Sequence, residues 1–228
     1  PLRFGRMLAR LGVPHPETRL DPPPADPRCC HPKLKIGILA FGSLINDQGE
    51  EIQRVIRFRI KTITPFPVEF GRYSMTRGGA PTLTKHDRGG PVSAEILVLD
   101  DAVSEYEARD MLWRRERRRI GSGEKYFEGS SPNSVLVKNI LDDPRVESLL
   151  YTDFRPEGKI AQPTVVDLAK NAIKSVKLAE QGKDGISYLI NAIASGIKTP
   201  LTEDYEAEIL KQTGTRSLKE ALQKAMTL

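Results

Sequence analysis

The sequence predicts an α+β protein: a mixed β-sheet or small barrel with flanking helices and a helical C-terminal tail. Three observations carry this. Short apolar runs joined by Gly-rich turns fill Lys35 to Asp100, with few helical stretches between them, a pattern of mixed sheets rather than doubly wound ones. Neither a G-x-G-x-x-G nor a Walker pattern argues for a nucleotide fold. From Pro163 onward, apolar residues recur at helical spacing instead.

The first strand is Ile36 to Phe41, an apolar run that breaks into Gly42 and Ser43 before Leu44 and Ile45. A glycine without a Cβ lets a ligand reach backbone N–H groups, so this loop is a candidate cradle for an anion or a carbonyl oxygen; an ordinary turn is the other reading. Gln48 to Arg59 reads as helical from Ile52, Val55 and Ile56, and Lys61 to Tyr73 as an edge or bent strand because of Pro65 and Pro67. The glycine pairs Gly78, Gly79 and Gly89, Gly90 bracket a short strand, and VSAEILVLD (Val92 to Asp100) is the second buried one.

Ser104 and Glu107 form a capping box, with Val103 and Ala108 as its staple, so a helix starts near Glu105. At 100° per residue, Ala102, Tyr106, Leu112, Trp113 and Ile120 share one stripe. Arg114, Arg115, Arg117, Arg118 and Arg119 take the remaining, solvent-facing part, and Glu116 falls inside the apolar stripe. Such a carboxylate is either a structural ion-pair partner of Arg109 or Arg72, or a general base favoured by partial burial against Trp113. Tyr151 to Phe154 reads as a last short strand or turn. Helices are then expected over Pro163–Gln181, Gly185–Gly196, Asp204–Thr213 and Ser217–Met226, with Gly182 and Gly196 as C-caps.

At 228 residues, 39% hydrophobic and 29% charged, the chain has the composition of a soluble globular protein. No apolar run approaches the roughly 18 residues of a membrane span. No apolar signal core precedes the Pro-rich stretch, which makes a cytoplasmic location the expectation. Residues 1–34 read as a Pro-rich N-terminal extension and 35–228 as the folded domain. Cys29 and Cys30, beside His31, have the wrong spacing for a structural zinc site and read as free thiols. Much of the net charge of +5 is concentrated in Arg114 to Arg119; a solvated helix face is favoured there over a nucleic-acid patch, since few aromatics are interleaved.

With the loop and the carboxylate both placed, the pattern resembles the gamma-glutamylcyclotransferase-like superfamily, most closely its ChaC-like branch. The family's Y-G-S-L loop is matched by Phe41-Gly42-Ser43-Leu44, its R-E-K segment by Arg115-Glu116-Arg117, and a basic-aromatic segment between them by Gly71-Arg72-Tyr73. The tail, with SYLINAIASGI and EDYEAEIL, is also similar, and the resemblance spans roughly Lys35 to Gly214. Phe41 stands where the family usually has Tyr, and RRRIGSGEKY (Arg117 to Tyr126) is longer than the compact turn that normally follows the glutamate.

The resemblance implies an enzyme that needs no cofactor and takes a small-molecule gamma-glutamyl amide, glutathione being the branch's usual substrate, to 5-oxoproline. Glu116 would be the catalytic base. Phe41, Gly42, Ser43, Leu44 and Arg72 would bind the substrate. A non-catalytic binding protein of the same fold is the alternative.

Overall fold

The computed structural model describes residues 34–227. The N-terminal extension expected over residues 1–34, and with it Cys29, Cys30 and His31, lies outside the described residues apart from Leu34. The architecture is α+β. Five strands form an open mixed sheet: β1 (Leu34–Ala40), β2 (Ile56–Ile63), β5 (Ser93–Leu99), β6 (Val135–Ile140) and β7 (Val146–Phe154), in the order β2-β5-β1-β7-β6. β1 runs parallel to β7, with Leu34 opposite Val146 and Ile38 opposite Leu150; every other pairing is antiparallel. A separate two-stranded ribbon, β3 (Val68–Ser74) and β4 (Ala80–Lys85), packs alongside.

A closed barrel is therefore not formed. Between β2 and β3 lie Pro65 and Pro67, and proline has no N–H to give to a ladder. The chain leaves the large sheet there and starts the ribbon, so β2 and β6 remain edges.

The central strand is buried on both faces, which is why it reads as a continuous apolar run. Ile36, Ile38 and Ala40 of β1 pack into one core with Ile52, Leu112 and Trp113, beneath α1 (Glu50–Gln53) and α2 (Glu105–Glu116). Leu39 faces the other core, which the ribbon shares with the C-terminal helices. These are α3 (Val165–Lys174), α4 (Gly185–Ala194), α5 (Thr202–Thr213) and α6 (Leu218–Met226). The alternation along β1, period two with both halves apolar, makes it the shared wall of two cores.

Several boundaries differ from expectation. Helix α1 is a single turn, and β2 begins at Ile56, inside the stretch expected to be helical; the alternating IRFRIKTI sets a period of two. Strand β6 has no counterpart in the sequence reading, and Tyr151–Phe154 is the end of the nine-residue β7. Helix α2 does begin at Glu105 with the full Ser104–Glu107 capping box, but it stops at Glu116. Ile120 is consequently off the helix and exposed; Tyr106 (82%), on the helix, and Ala102, ahead of it, are exposed as well. The buried face is instead Ala108, Met111, Leu112 and Trp113, together with Asp110 and Arg114. Gly182 closes the 3-10 turn that extends α3, in the left-handed region, and Gly196 also has a positive φ just beyond α4.

Candidate functional site

A cleft of about 730 Å3 opens where four segments converge, and Phe41, Ser43, Leu44, Arg72 and Glu116 all line it. The end of β1 supplies the first wall. After Phe41 the chain turns at Gly42 (φ +61°) into a 3-10 turn over Gly42–Ile45. In such a turn each N–H binds the carbonyl three residues back, so Leu44 N–H falls to the Phe41 carbonyl and the amides of Gly42 and Ser43 are the ones left over. Gly42 itself is not a lining residue; what it supplies is the backbone turn. Gln48 Nε2 donates to the carbonyls of Leu44 and Ile45, and Asn46 Nδ2 donates to Ser195 Oγ at 2.9 Å, fixing the loop to the end of α4.

Glu116 is the last residue of α2, a place where unpaired carbonyls make the potential negative. Arg115 answers that charge. Its Nη1 donates to Glu116 Oε1 at 2.5 Å, while Nη2 reaches Ser43 Oγ at 3.3 Å and Nε the Asp47 carbonyl at 2.9 Å. One guanidinium thus ties the carboxylate to the loop. The ion-pair partner is neither Arg109, which bonds Glu105, nor Arg72. The Glu116 side chain keeps 20% of its surface.

The arginine run is solvated only in part: Arg114 and Arg115 turn inward, whereas Arg117, Arg118 and Arg119 are exposed. Arg114 is buried and bonds Glu51 through Nε (2.9 Å to Oε2) and the Glu124 carbonyl through Nη1 at 2.6 Å. Arg117 stacks over Trp113, 4.7 Å from its centroid, and Arg119 pairs with Glu124. α1 supplies Glu51 from far away in the sequence, and a helical projection cannot contain that partner. Arg114 and Arg115 are thereby committed to internal contacts, and the exposed charge of the run is that of Arg117, Arg118 and Arg119.

Arg72 projects from β3 with its guanidinium 3.9 Å above the Phe154 ring. Its Nε is buried and has no hydrogen-bond partner among the described residues. Burial pulls the guanidinium below its usual range, and the Glu116 carboxylate, then Tyr188, oppose that pull. Arg72 is thus a desolvated cation facing the cleft without a carboxylate in ion-pair contact among the described residues.

Tyr188 of α4 completes the floor. Its hydroxyl accepts from Leu83 N–H at 3.3 Å and stands 2.8 Å from where a Cβ on Gly42 would lie. Burial pushes the phenol up, opposed by the Leu83 N–H and by Arg77. The sequence reading gives the helix that carries this tyrosine, Gly185–Gly196, but does not single out the tyrosine itself. Its only signal was a single polar aromatic within SYLINAIASGI.

Among the described residues serine chemistry is not assembled: Ser43 Oγ meets Arg115, whereas His86 Nε2 bonds the Ile160 carbonyl at 2.8 Å. No cluster of metal-ligating side chains occurs among the described residues, and none of their helices is long and apolar enough to cross a membrane. No protein-family model matches the chain, and no curated protein matches it significantly.

Proposed function

We propose that the protein is a gamma-glutamylcyclotransferase-type lyase, acting on a small gamma-glutamyl amide without a cofactor. The observation that carries this reading is the meeting of Glu116, Arg72 and the Phe41–Leu44 loop, from three distant parts of the chain, around one cleft. Cyclisation needs little more. The substrate's α-nitrogen attacks its own γ-carbonyl carbon, the C–N bond to the leaving amine breaks, and a five-membered lactam remains. Proximity is intrinsic to the substrate, so the protein has to fold the glutamyl chain, move protons and hold the developing oxyanion.

Glu116 takes a proton from the α-ammonium and returns it to the leaving nitrogen. Arg72 holds the glutamyl carboxylate. The Ser43 amide, presented by the Gly42 turn, holds the carboxylate or the oxyanion, and the Tyr188 hydroxyl borders the same loop. A second reading, a binding protein that keeps the cleft without turnover, is favoured by the short Arg115–Glu116 pair, because a carboxylate held that firmly serves equally as a strut.

The test is incubation with glutathione and a panel of gamma-glutamyl amino acids and amines, following 5-oxoproline by mass spectrometry, with Glu116→Gln alongside. Product from the wild type alone is expected. Product undiminished in Glu116→Gln would remove Glu116 as the base, and no product from any compound would leave the binding protein.

A further inference from the structure

Once the zwitterionic glutamyl head is placed, the cleft retains more positive charge than that head can use. Arg77, Arg118 and Lys183 also line it, arriving from three separate segments: the 3-10 turn after β3, the turn after α2, and the lead into α4. None has a carboxylate in ion-pair contact among the described residues. Arg77 Nη1 donates to the Gly182 carbonyl at 3.1 Å and its guanidinium lies over the Tyr188 ring; Lys183 Nζ reaches only the neutral Gln181 amide. Burial lowers Arg77 from its usual range, and Arg118 and Arg115 beside it push the same way.

The backbone supplies an independent observation at Arg118. Arg119 N–H bonds the Arg114 carbonyl at 2.8 Å and Arg118 N–H the Arg115 carbonyl at 3.1 Å, the two bonds of a Schellman helix end. Arg118 occupies its left-handed position with φ 57°, where glycine is the default because it has no Cβ to clash. A long cationic side chain is kept at the place where the backbone asks for none, and it lines the cleft beside two more unpaired cations.

We propose that Arg77, Arg118 and Lys183 form an anion subsite for a carboxylate on the leaving amine. The substrate is then a gamma-glutamyl amide of an amino acid or peptide, and gamma-glutamyl derivatives of neutral amines are poor substrates. This rests on the cyclotransferase reading: Glu116 and Arg72 serve the glutamyl head, and the three rim cations select what departs.

The experiment compares gamma-glutamyl amino acids and glutathione with their C-terminal amides, which differ by one charge. Wild-type kcat/KM for the acids should exceed that for the amides by about tenfold or more, chiefly through KM, as a charge-assisted hydrogen bond allows. Arg118→Gly should shrink that ratio while raising the melting temperature, so the loss is not unfolding; Arg77→Gln should shrink it too. Equal use of acid and amide by the wild type, or a ratio unchanged in both variants, overturns the subsite. If no compound is turned over, the reaction reading fails by itself, and calorimetric binding of the same pairs decides the subsite. Tighter binding of the acids, lost in Arg118→Gly, supports it within a binding protein; no preference, or no binding of either, overturns it.

Discussion

Replacing Gly42 with alanine separates two costs that the structure places at one residue. The backbone there has φ +61°, where an L side chain costs roughly 1–2 kcal/mol. The new Cβ would also lie 2.8 Å from the Tyr188 hydroxyl. That hydroxyl cannot simply swing aside, because it accepts from Leu83 N–H and its ring is buried edge-on to Phe70 at 6.4 Å. Forced repacking of this kind costs about 1–3 kcal/mol, so Gly42→Ala should lose about 2–5 kcal/mol in all.

Gly79→Ala is the matched control. Its φ is +82° and nothing lies within 4 Å of its added Cβ, so only the first cost, about 1–2 kcal/mol, applies. Urea denaturation followed by the fluorescence of Trp113, the only tryptophan and 2% exposed, measures both. Adding Tyr188→Phe should recover part of the Gly42→Ala loss by removing the obstructing oxygen. Equal losses in the two alanine variants, with no recovery, would refute the Tyr188 contact as the loop's constraint.

Glu69 gives a pH-dependent case. Its buried carboxylate accepts from Phe70 N–H, Thr199 Oγ1 and Leu201 N–H, and burial outweighs these bonds to raise its pKa. The folded state therefore holds this proton more tightly than the unfolded chain does. The stability this contributes is complete below the unfolded carboxylate value and is lost as pH rises through the raised one. Stability of Glu69→Gln relative to wild type should improve as pH climbs from about 4 across that window, by up to about 1.4 kcal/mol per pH unit; a flat difference in urea melts would contradict it. Glu51→Ala strands the buried Arg114 and frees the Gly121 amide that Glu51 Oε1 also accepts. A loss of about 2–3 kcal/mol is expected, whereas Arg54→Ala, which breaks the exposed Glu50 pair, should stay within about 0.5 kcal/mol.

The buried strands and the capping box were legible because their signals are local. Ile36–Phe41 is apolar throughout since both of its faces meet a core, and Ser104 with Glu107 needs no distant partner. β6 escaped notice although VLVKNI is bounded by turn residues at Asp142, Asp143 and Pro144; it follows a long stretch without regular structure. The fate of Arg114 and Arg115 was illegible in principle, since Glu51 and the Asp47 carbonyl arrive through tertiary packing. Tyr188 fits an apolar stripe, and nothing in its periodicity says that its hydroxyl ends beside Gly42. The apolar run that breaks at Gly42 and Ser43 and the helical projection of Glu116 are local signals, whereas Phe41, Leu44 and Arg72 enter as substrate-binding residues only through the resemblance; Phe41, Ser43, Leu44, Arg72 and Glu116 all line one cleft.

The parallel pairing of β1 with β7 also dictates the order in which the molecule can be completed. β5 can dress one edge of β1 early in synthesis, but the other edge waits for Val146 to Leu150. Until then the nascent chain carries an apolar strand with a row of unsatisfied N–H and C=O groups, a template for association with other chains. The C-terminal helices cover the second face later still. A ribosome stalled between β5 and β7 therefore exposes the protein's most aggregation-prone surface, and chaperone demand during synthesis should peak in that interval.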